Sequence, residues 1–446
     1  FFHPPPANPD AQESRGLGDV YKRQVFLNDS HVSFLHESDL IKIPADDNVI
    51  FSLKIFYHGT PEHCGAGGFK FDSHLDIDHV WTLSEAYCAR SWWPCKDDPS
   101  DKADSVNIKV SVPSQPEFIV ASNGLLESTE VSGDKRTFFW KERYPITTYL
   151  VSLAIYPYTI WSEQYISPIS NDTMAIEHYV FPDRYESSYP NYSLTGEMLS
   201  FFSNLFGEYP FISEKYGHAD FKWGGGMEHQ TLSSMGSFSQ NLIVHELGHS
   251  WWGNLITCKT FNDIWLNEGF ARYCQALWVE NIDGKQAYFN FMNDHAYYGG
   301  GTIYVENPSS NSQIFNSSLS YNKASWVLHM LRHKVGDEMF FEILKEYASN
   351  DSLAYNAAST ADFQKVCEDI SGMDFEQFFQ QWIYGDRYPK YELSWWSEEN
   401  DIYKVKIDQI QSYGIFSMPI DLNFSGSVGP LSVDTTIVVE HLSLIH

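Results

Sequence analysis

The chain has 446 residues, with 29 Lys and Arg against 58 Asp and Glu, which gives a formal net charge of −29. A charge of this size argues against nucleic acid and anionic membrane surfaces as partners, because both repel an acidic protein. A hydrophobic content of 43%, without any apolar run of about 18 residues, indicates a large packed core and no membrane-spanning helix.

Both ends of the chain match a single inverted DNA tag of the kind used to prepare sequencing libraries. Codons that encode Leu442–His446 have a reverse complement that encodes Val20–Gln24. Segments of this origin are excluded before the fold is considered. We therefore expect residues 1–24 and 442–446 to be adapter scars, and the natural sequence to begin near Val25, cut at both sides.

From Val25 to about Tyr158 the pattern is that of β-structure. Ser105–Val112 alternates apolar and polar residues, which predicts a strand with one buried face. Thr137–Trp140 and Thr148–Ile155 are further predicted strands.

Near Tyr189 the hydrophobic period changes to that of a helix, and helices are predicted to dominate as far as Tyr384. An apolar face between Leu194 and Leu205 predicts the first, which Gly207 ends. Four later segments have the same period: Val327–Val335, Glu338–Ala348, Ala361–Ile370 and Phe375–Tyr384. After Pro389 alternation returns, and strands are predicted around Tyr403–Ile407, Phe416–Phe424 and Thr435–Val439.

Six cysteines are too few for a disulfide scaffold in a chain of this length. Cys88 and Cys95, and Cys258 and Cys274, are close enough in sequence to be bridged. Buried free thiols explain them equally well. None of the six has the spacing of a zinc ligand.

The segment from Ser239 to Gly253 contains the pattern His-Glu-x-x-His and is predicted to be helical. His245 and His249 are four positions apart and therefore lie on one helical face, about one turn from each other. That separation allows both imidazoles to bind one zinc ion at about 2.0–2.1 Å. Glu246 projects beside them, where it can hold the water that attacks the substrate.

A catalytic zinc site needs a third protein ligand and an open fourth position. Glu268 follows His249 by nineteen positions in a second segment with a helical pattern, so two packed helices can bring the three side chains together. Asn267, next to it, is a candidate to orient a histidine. The alternative is that the two histidines lie on one helix without binding a metal. The presence of Glu268 at a suitable distance argues against this alternative.

Four motifs together resemble the aminopeptidase N family of zinc metallopeptidases, which includes the leukotriene hydrolase/aminopeptidases. They are His245-Glu246-x-x-His249 with Glu268, Gly224-Gly225-Gly226-Met227-Glu228-His229-Gln230, Tyr321-Asn322-Lys323-Ala324, and the segment Glu85–Pro99. The resemblance extends from about Val25 to Val439. It implies a β-saddle domain over residues 25–165, a thermolysin-like, mainly helical zinc domain over 166–390, and the start of a β-sandwich over 391–441.

The resemblance also implies roles for individual residues. Glu228 corresponds to the family's glutamate that binds the free α-amine of the substrate, together with the backbone of Gly225, Gly226 and Met227. Glu85 is implied as a second contact to that amine, and Tyr321 as the donor that stabilises the oxyanion. Two departures from the family pattern are His229 in place of Asn and Ala324 in place of Gly.

The function predicted from these residues is a mononuclear zinc aminopeptidase of broad specificity, acting as a monomer on peptides with a free amino terminus. The alternatives are an endopeptidase on the same zinc site, a bifunctional epoxide hydrolase/aminopeptidase, and an inactive scaffold of the same fold. The acidic charge and possible disulfides favour a secreted, periplasmic or cell-surface location.

Overall fold

The computed structural model describes residues 21–38, 40–45, 49–65, 67–397, 403–428 and 431–439. Two compact units make up the chain. The first comprises the described residues as far as Glu163 together with Ala175–Pro190 and Glu214–Phe238. The second comprises Gln164–Met174, Asn191–Ser213 and the described residues from Ser239 onwards. Residues 1–20 and 442–446, most of the predicted scars, lie outside the described residues.

The first unit is built from strands, as the alternating pattern predicts. Its strands before Tyr185 are Tyr21–Leu27, Ser30–His31, Leu35–Glu37, Leu40–Lys42, Leu53–His58, Gly68–His74, Ile77–Leu83, Val106–Pro113, Ile119–Ser122, Leu125–Ser132, Lys135–Glu142, Leu153–Tyr156, Thr159–Ile166 and Thr173–Val180. The last two strands belong to this unit except for their residues within Gln164–Met174. Three later strands complete the unit: Lys215–Asp220, Gly226–Met227 and Ser233–Met235. Tyr21–Leu27 pairs antiparallel with Leu53–His58, so this strand begins four residues before the predicted start at Val25.

The sheet with the most strands in this part of the protein has five. Its order is Thr159–Ile166, Thr173–Val180, Lys215–Asp220, Ser233–Met235 and Gly226–Met227. Lys215–Asp220 runs parallel to both of its neighbours. This pairing explains why residues 214–238 belong to the first unit, although they lie far along the chain from its other strands. The predicted domain bounds of 25–165, 166–390 and 391–441 remain predictions.

A single apolar cluster fills the first unit. It includes Val120, Trp140, Tyr156 and Phe181, which are buried. From the strand Lys135–Glu142 alternate residues contribute, Phe138 and Trp140, because successive side chains point to opposite faces. All four residues of Leu153–Tyr156 contribute, since this strand is buried on both faces. The clean alternation of Ser105–Val112 is borne out by the strand Val106–Pro113.

The prediction of one strand over Thr148–Ile155 is wrong. Thr148–Leu150 is a 3₁₀ turn, and the strand itself is Leu153–Tyr156. The reason is the buried amide of Asn123, which donates to the carbonyl of Leu150 (3.0 Å) and accepts from the backbone N–H of Ser152 (2.7 Å). These backbone groups thus bond to a side chain rather than to a neighbouring strand.

Helices dominate the second unit. In chain order the helices of the protein are α1 Tyr185–Tyr192, α2 Thr195–Phe206, α3 Gln240–Gly248, α4 Trp265–Asp283, α5 Lys285–Asp294, α6 Asn311–Ile314, α7 Ala324–Val335, α8 Asp337–Ser349, α9 Thr360–Ser371 and α10 Glu376–Trp382. Helix α1 lies mainly in the first unit. The four predicted later helices correspond to α7–α10, whereas α5 and α6 were not predicted. Among the described residues, no helix is both long enough and apolar enough to span a bilayer.

The second unit packs around buried aromatic side chains. Trp252 stacks on Tyr347 with a ring separation of 5.7 Å and lies 5.0 Å from Phe270. A short parallel pair of strands, Ile256–Cys258 and Asn356–Ala358, lies among the helices. Helix periodicity gave no sign of this pair, because three-residue strands are too short to show alternation.

Two hairpins follow the helices. They are formed by Tyr391–Ser397 with Tyr403–Gln409, and by Ile420–Val428 with Leu431–Val439. The first begins at the predicted start of the last domain. The predicted strand Phe416–Phe424 begins four residues later than expected, at Ile420.

The disulfide differs from both pairings considered above. Cys88 bonds to Cys64, with their Cα atoms 5.8 Å apart, which is within the range that a disulfide can bridge. Cys95, Cys258 and Cys274 are free thiols. Cys64 lies 24 positions before Cys88, so the sequence spacing did not indicate that the two are close in the fold.

Candidate active site

Helix α3 carries the His-Glu-x-x-His pattern. Ser239 begins it as predicted, because its hydroxyl accepts a hydrogen bond from the backbone N–H of Leu242. The helix ends at Gly248, five residues before the predicted end at Gly253. His249 follows with φ −60° and ψ −19°, which is still helical backbone, so the one-turn spacing from His245 is kept. Glu246, between them, is buried.

Three side chains converge between α3 and α4. His245 Nε2 lies 3.2 Å from Glu268 Oε2 and 3.2 Å from His249 Nε2, and His249 Nε2 lies 3.4 Å from the same carboxylate oxygen. Ligands at about 2.0–2.1 Å around a tetrahedral ion are themselves about 3.3–3.4 Å apart. The separations of the three atoms therefore fit one zinc ion.

A backbone carbonyl orients His249. The Nδ1 atom of His249 lies 2.9 Å from the carbonyl oxygen of Trp252. Since a carbonyl only accepts, Nδ1 donates, and the lone pair of the neutral ring is at Nε2, on the side of the other two ligands. Asn267, the candidate from the sequence, accepts from the backbone N–H of Cys258 (3.1 Å).

Gly253 leaves the space that this arrangement needs. Its φ of +136° is one that residues with a side chain rarely adopt, and a Cβ atom there would lie 3.2 Å from His249 Nδ1. Gly253, which the sequence predicts to end the helix, therefore has a different structural role. It allows the chain to turn closely around the histidine ring.

Burial and neighbouring side chains set the charges of the predicted ligands. Burial lowers the pKa of His245 to about 4, so its ring is neutral at pH 7. Burial alone would raise the pKa of Glu268, but the imidazoles of His245 and His249 beside it outweigh burial and hold that pKa well below its usual value. A neutral imidazole and an ionised carboxylate are the forms that bind metal ions.

Tyr321 lies in a π-helical segment, Ser317–Lys323, that leads directly into α7. The side chain of Asn316 begins this segment by accepting from the N–H groups of Ser318 and Leu319. The ring of Tyr321 stacks over that of His245, with 5.9 Å between the ring centroids. Turns of π-helix are rare and frequently occur at functional sites.

Close packing of small residues brings this segment to α4. A Cβ atom on Gly269 would lie 2.5 Å from the Cβ of Ala324. The two helices therefore touch where one of them has no side chain. Lys323 fixes the segment from the other side, because its ammonium donates to the carbonyls of Gly301 (3.1 Å) and Gly385 (3.4 Å).

One residue at this site was missed by sequence reasoning. Arg272 follows Glu268 by one helical turn on α4, and its guanidinium carbon lies 6.0 Å from the centre of the Tyr321 ring. The signal that could have revealed it was the four-residue spacing, which places two side chains on the same face.

The predicted amine-binding residues belong to the first unit. Glu228 and Glu85 are both buried there, with relative exposures of 3% and 7%. Gly226 and Met227 form a short antiparallel pair with Met235 and Ser234. The carbonyl of Gly225 accepts from the N–H of Gly236 (2.8 Å), so the glycine-rich motif is held as a tight hairpin.

His229, the departure from the family pattern, contributes to the rigidity of this hairpin. Its Nδ1 atom lies 2.8 Å from the hydroxyl of Ser234. Burial lowers its pKa to about 3, so the ring is neutral at pH 7. The backbone carbonyl of the next residue, Gln230, accepts from the amide of Asn123 (2.7 Å).

Comparison with known proteins gives matches along most of the chain. Residues 23–150 match the model of the peptidase M1 N-terminal domain, and residues 195–382 match that of the peptidase family M1 domain. Aminopeptidase M1-C of Oryza sativa subsp. japonica is 26% identical over 337 residues, covering 69% of this chain and 37% of the relative. Glutamyl aminopeptidase of Rattus norvegicus is 27% identical over 340 residues, with coverage of 69% and 34%.

The chain spans about a third to a half of the length of the curated relatives it matches. Among solved structures, the M1 zinc metallopeptidase from Deinococcus radiodurans aligns with a TM-score of 0.72 at 24% identity, covering 84% of this chain and 86% of that one. Legionella pneumophila aminopeptidase A in complex with aspartic acid aligns with a TM-score of 0.80 at 16% identity, covering 95% and 51%. The predicted fold, a β-rich N-terminal domain followed by a helical catalytic domain, is confirmed.

Proposed function

The chain belongs to peptidase family M1, and from that premise we propose that it is a zinc-dependent aminopeptidase of broad specificity. The substrate is a peptide with a free amino terminus, and the bond hydrolysed is the first peptide bond. The observation that carries the proposal is the convergence of His245, His249 and Glu268, whose ligand atoms are 3.2–3.4 Å apart. The names of the relatives, aminopeptidases and zinc metallopeptidases, support it.

In this mechanism His245, His249 and Glu268 hold the zinc ion. When bound, the ion polarises the scissile carbonyl and lowers the pKa of a water molecule from about 15.7 to about 7. Glu246 accepts the proton of the attacking water as the C–O bond forms. It then passes this proton to the leaving amine, and the C–N bond breaks as the carbonyl re-forms. The Tyr321 hydroxyl donates a hydrogen bond to the carbonyl oxygen as negative charge develops there.

Two buried carboxylates are proposed to bind the amine of the substrate. Glu228 and Glu85 are assigned to it, with the backbone of Gly225, Gly226 and Met227 aligning the peptide. Buried carboxylates are costly without a neutralising cation. Peptides without a free ammonium group therefore bind poorly, which distinguishes an exopeptidase from an endopeptidase.

The test compares one short peptide with a free amino terminus and its N-acetylated form, both incubated with protein whose zinc content has been measured. We expect one zinc per chain, release of the first amino acid from the free peptide, and no cleavage of the acetylated one. Equal cleavage of both would make the protein an endopeptidase. One bound zinc without cleavage of either would support the scaffold alternative.

Two controls sharpen this comparison. Glu228→Ala is expected to weaken binding of the free peptide, measured as KM, more than binding of the acetylated peptide, measured as inhibition. Equal weakening of both would remove Glu228 from the amine site. A panel of epoxides tests the bifunctional alternative. If the wild-type protein hydrolyses an epoxide and Glu246→Gln abolishes this activity, then the bifunctional alternative is favoured.

We also propose that the protein acts as a monomer and is secreted, periplasmic or located at the cell surface. The Cys64–Cys88 disulfide supports this location, since disulfides persist in oxidising compartments. Alkylation of cells before lysis, followed by mass spectrometry, measures the redox state of both cysteines. Alkylated Cys64 and Cys88 would contradict the proposed location, and a dimer in sedimentation analysis would contradict the monomer.

A further inference from the structure

Arg272 carries a positive charge that the zinc site does not use. It lies on α4 one turn after Glu268, and its guanidinium faces the ring of Tyr321 at 6.0 Å. Its neighbours within the site are thus one proposed zinc ligand and the proposed oxyanion donor. No residue role given above requires an arginine at this position.

The guanidinium has unused hydrogen-bonding capacity. Nη1 donates to the amide oxygen of Gln275 (2.9 Å), and that amide in turn donates to the backbone carbonyl of Asn241 (2.7 Å). Nε is buried and has no hydrogen-bond partner among the described residues. A buried donor that lacks a partner costs free energy, which an incoming acceptor would recover.

The charge of Arg272 is also poorly neutralised. Within the described part of the chain no carboxylate forms an ion pair with it, and the carboxylate whose charge acts on its pKa is that of Glu268. Glu268 is assigned to the zinc ion in the proposed mechanism, so its charge is shared once the metal is bound. The guanidinium of Arg272 then lies beside the reacting centre without a carboxylate that neutralises its charge.

We propose that Arg272 binds a carboxylate of the substrate, and that it is a specificity-determining residue of this enzyme. The inference rests on the proposed peptidase function. A planar guanidinium with free donors fits a carboxylate, which accepts two parallel hydrogen bonds. Two sources provide this group: the side chain of an Asp or Glu residue in the peptide, and the free carboxyl terminus of a short peptide.

Because the protein is strongly acidic, it should prefer uncharged substrates unless a local cation such as Arg272 binds the carboxylate. A charge of −29 disfavours anionic substrates at long range. Without a local cation, a peptide carrying a carboxylate should therefore be a poorer substrate than its uncharged amide. A preference for the carboxylate requires a specific contact.

The experiment uses the zinc-loaded full chain and two matched substrate pairs, all with free amino termini. The first pair is a dipeptide with uncharged side chains and a free C-terminal carboxylate, and the same dipeptide as its C-terminal amide. The second is a C-terminally amidated tetrapeptide with Glu at the second position and the same peptide with Gln. We expect kcat/KM to be higher for the carboxylate member of at least one pair, and the responding pair identifies the source.

The variants are Arg272→Gln, Arg272→Lys and, as a control for charge, Arg387→Gln, an exposed arginine of the same unit. Arg272→Gln is expected to lower the ratio of kcat/KM for the preferred carboxylate to that for its uncharged partner at least about 10-fold, the range of a hydrogen-bonded charge pair. Arg272→Lys is expected to restore part of the preference, and Arg387→Gln to leave it unchanged.

A binding measurement separates this inference from the proposed function. Calorimetry with the Glu246→Gln protein measures the affinities of the same pairs without turnover. If no substrate is hydrolysed but the preference in binding depends on Arg272, then the peptidase proposal fails while the carboxylate site stands. If wild-type protein hydrolyses and binds both members of each pair equally, or if Arg272→Gln lowers both equally, then the carboxylate site is overturned.

Discussion

At the scale of single residues, Glu246 is the side chain on which hydrolysis depends most directly. Glu246→Gln removes the proton acceptor but keeps the shape of the side chain and all three zinc ligands. We expect zinc content to be unchanged and kcat to fall by about 10²–10⁴-fold, the usual contribution of acid–base catalysis. Metal analysis and steady-state kinetics on the same sample measure both, and an unchanged kcat would reject Glu246 as the base.

Tyr321 is expected to act in the transition state rather than in substrate binding. Tyr321→Phe removes one hydroxyl and keeps the ring that stacks on His245. Loss of a single oxyanion donor typically costs about 10²–10³-fold in kcat, so kcat should fall far more than KM rises. The reverse pattern, a raised KM with kcat preserved, would assign the hydroxyl to ground-state binding.

The residues that the sequence revealed are those whose spacing alone has a geometric meaning. His245 and His249 are one turn apart on any helix, so their pairing needed no knowledge of the fold. The residues that orient them could not be found in this way. The carbonyl of Trp252 orients His249, and every residue has a carbonyl, so nothing in the sequence distinguishes this one.

At the scale of elements, the contact between Gly269 and Ala324 determines how closely α4 approaches the segment that holds Tyr321. Gly269→Ala gains about 1 kcal/mol in helix propensity, but it places two Cβ atoms 2.5 Å apart. Overpacking typically costs about 1–3 kcal/mol, and the clashing atom is close to the backbone and cannot move aside. We therefore expect a lower midpoint of thermal unfolding and a lower kcat.

A matched control is available for this prediction. The double variant Gly269→Ala with Ala324→Gly moves the methyl group to the other helix and restores the space. It should recover most of the kcat lost in the single variant. If the double variant is as impaired as Gly269→Ala alone, then the contact does not position Tyr321.

Elements were predicted well where a period extends over many residues, and poorly where partners are distant in sequence. The long apolar faces of α2 and α8 were sufficient to identify them. Glycine commonly ends helices, and this preference predicts the end of α3 at Gly253. Here the glycine provides room for His249 instead, and this depends on a ring that only the folded structure brings near.

At the scale of the whole molecule, buried histidines should make the stability of the first unit depend on pH. His178 and His218 pair on parallel strands with their Nδ1 atoms 3.0 Å apart. Burial lowers the pKa of His218 to about 3 and that of His178 well below its usual value. The unfolded chain, with histidines near 6.5, binds more protons below that pH, so their contribution to stability is complete above about pH 6.5 and is lost between about pH 6.5 and 3.

The measurement is the midpoint of thermal unfolding between pH 7.5 and 4.5, in the wild type and in His178→Gln. Lower pH also reduces repulsion within an acidic protein, which acts in the opposite direction. The difference between the two slopes is therefore the quantity to compare. We expect a shallower fall with decreasing pH in the variant, and identical slopes would show that the pair does not titrate as described.

The overall architecture followed from changes of hydrophobic period, but the membership of the units did not. Residues 214–238 lie within a stretch predicted to be helical, yet they join the first unit through the parallel strand Lys215–Asp220. Parallel neighbours need long connections. The sequence around this strand therefore contains no local sign of its partner.

The π-helical segment Ser317–Lys323 has a consequence for how this protein can tolerate changes in chain length. A π turn accommodates more residues than an α turn, and each residue of an α-helix adds a rotation of about 100°. Deleting one residue such as Ser318 would allow the segment to wind as ordinary α-helix, which would rotate the phenol of Tyr321 away from His245. Natural variation should therefore keep the number of residues in this segment fixed, while side chains other than those of Tyr321 and Lys323 can change.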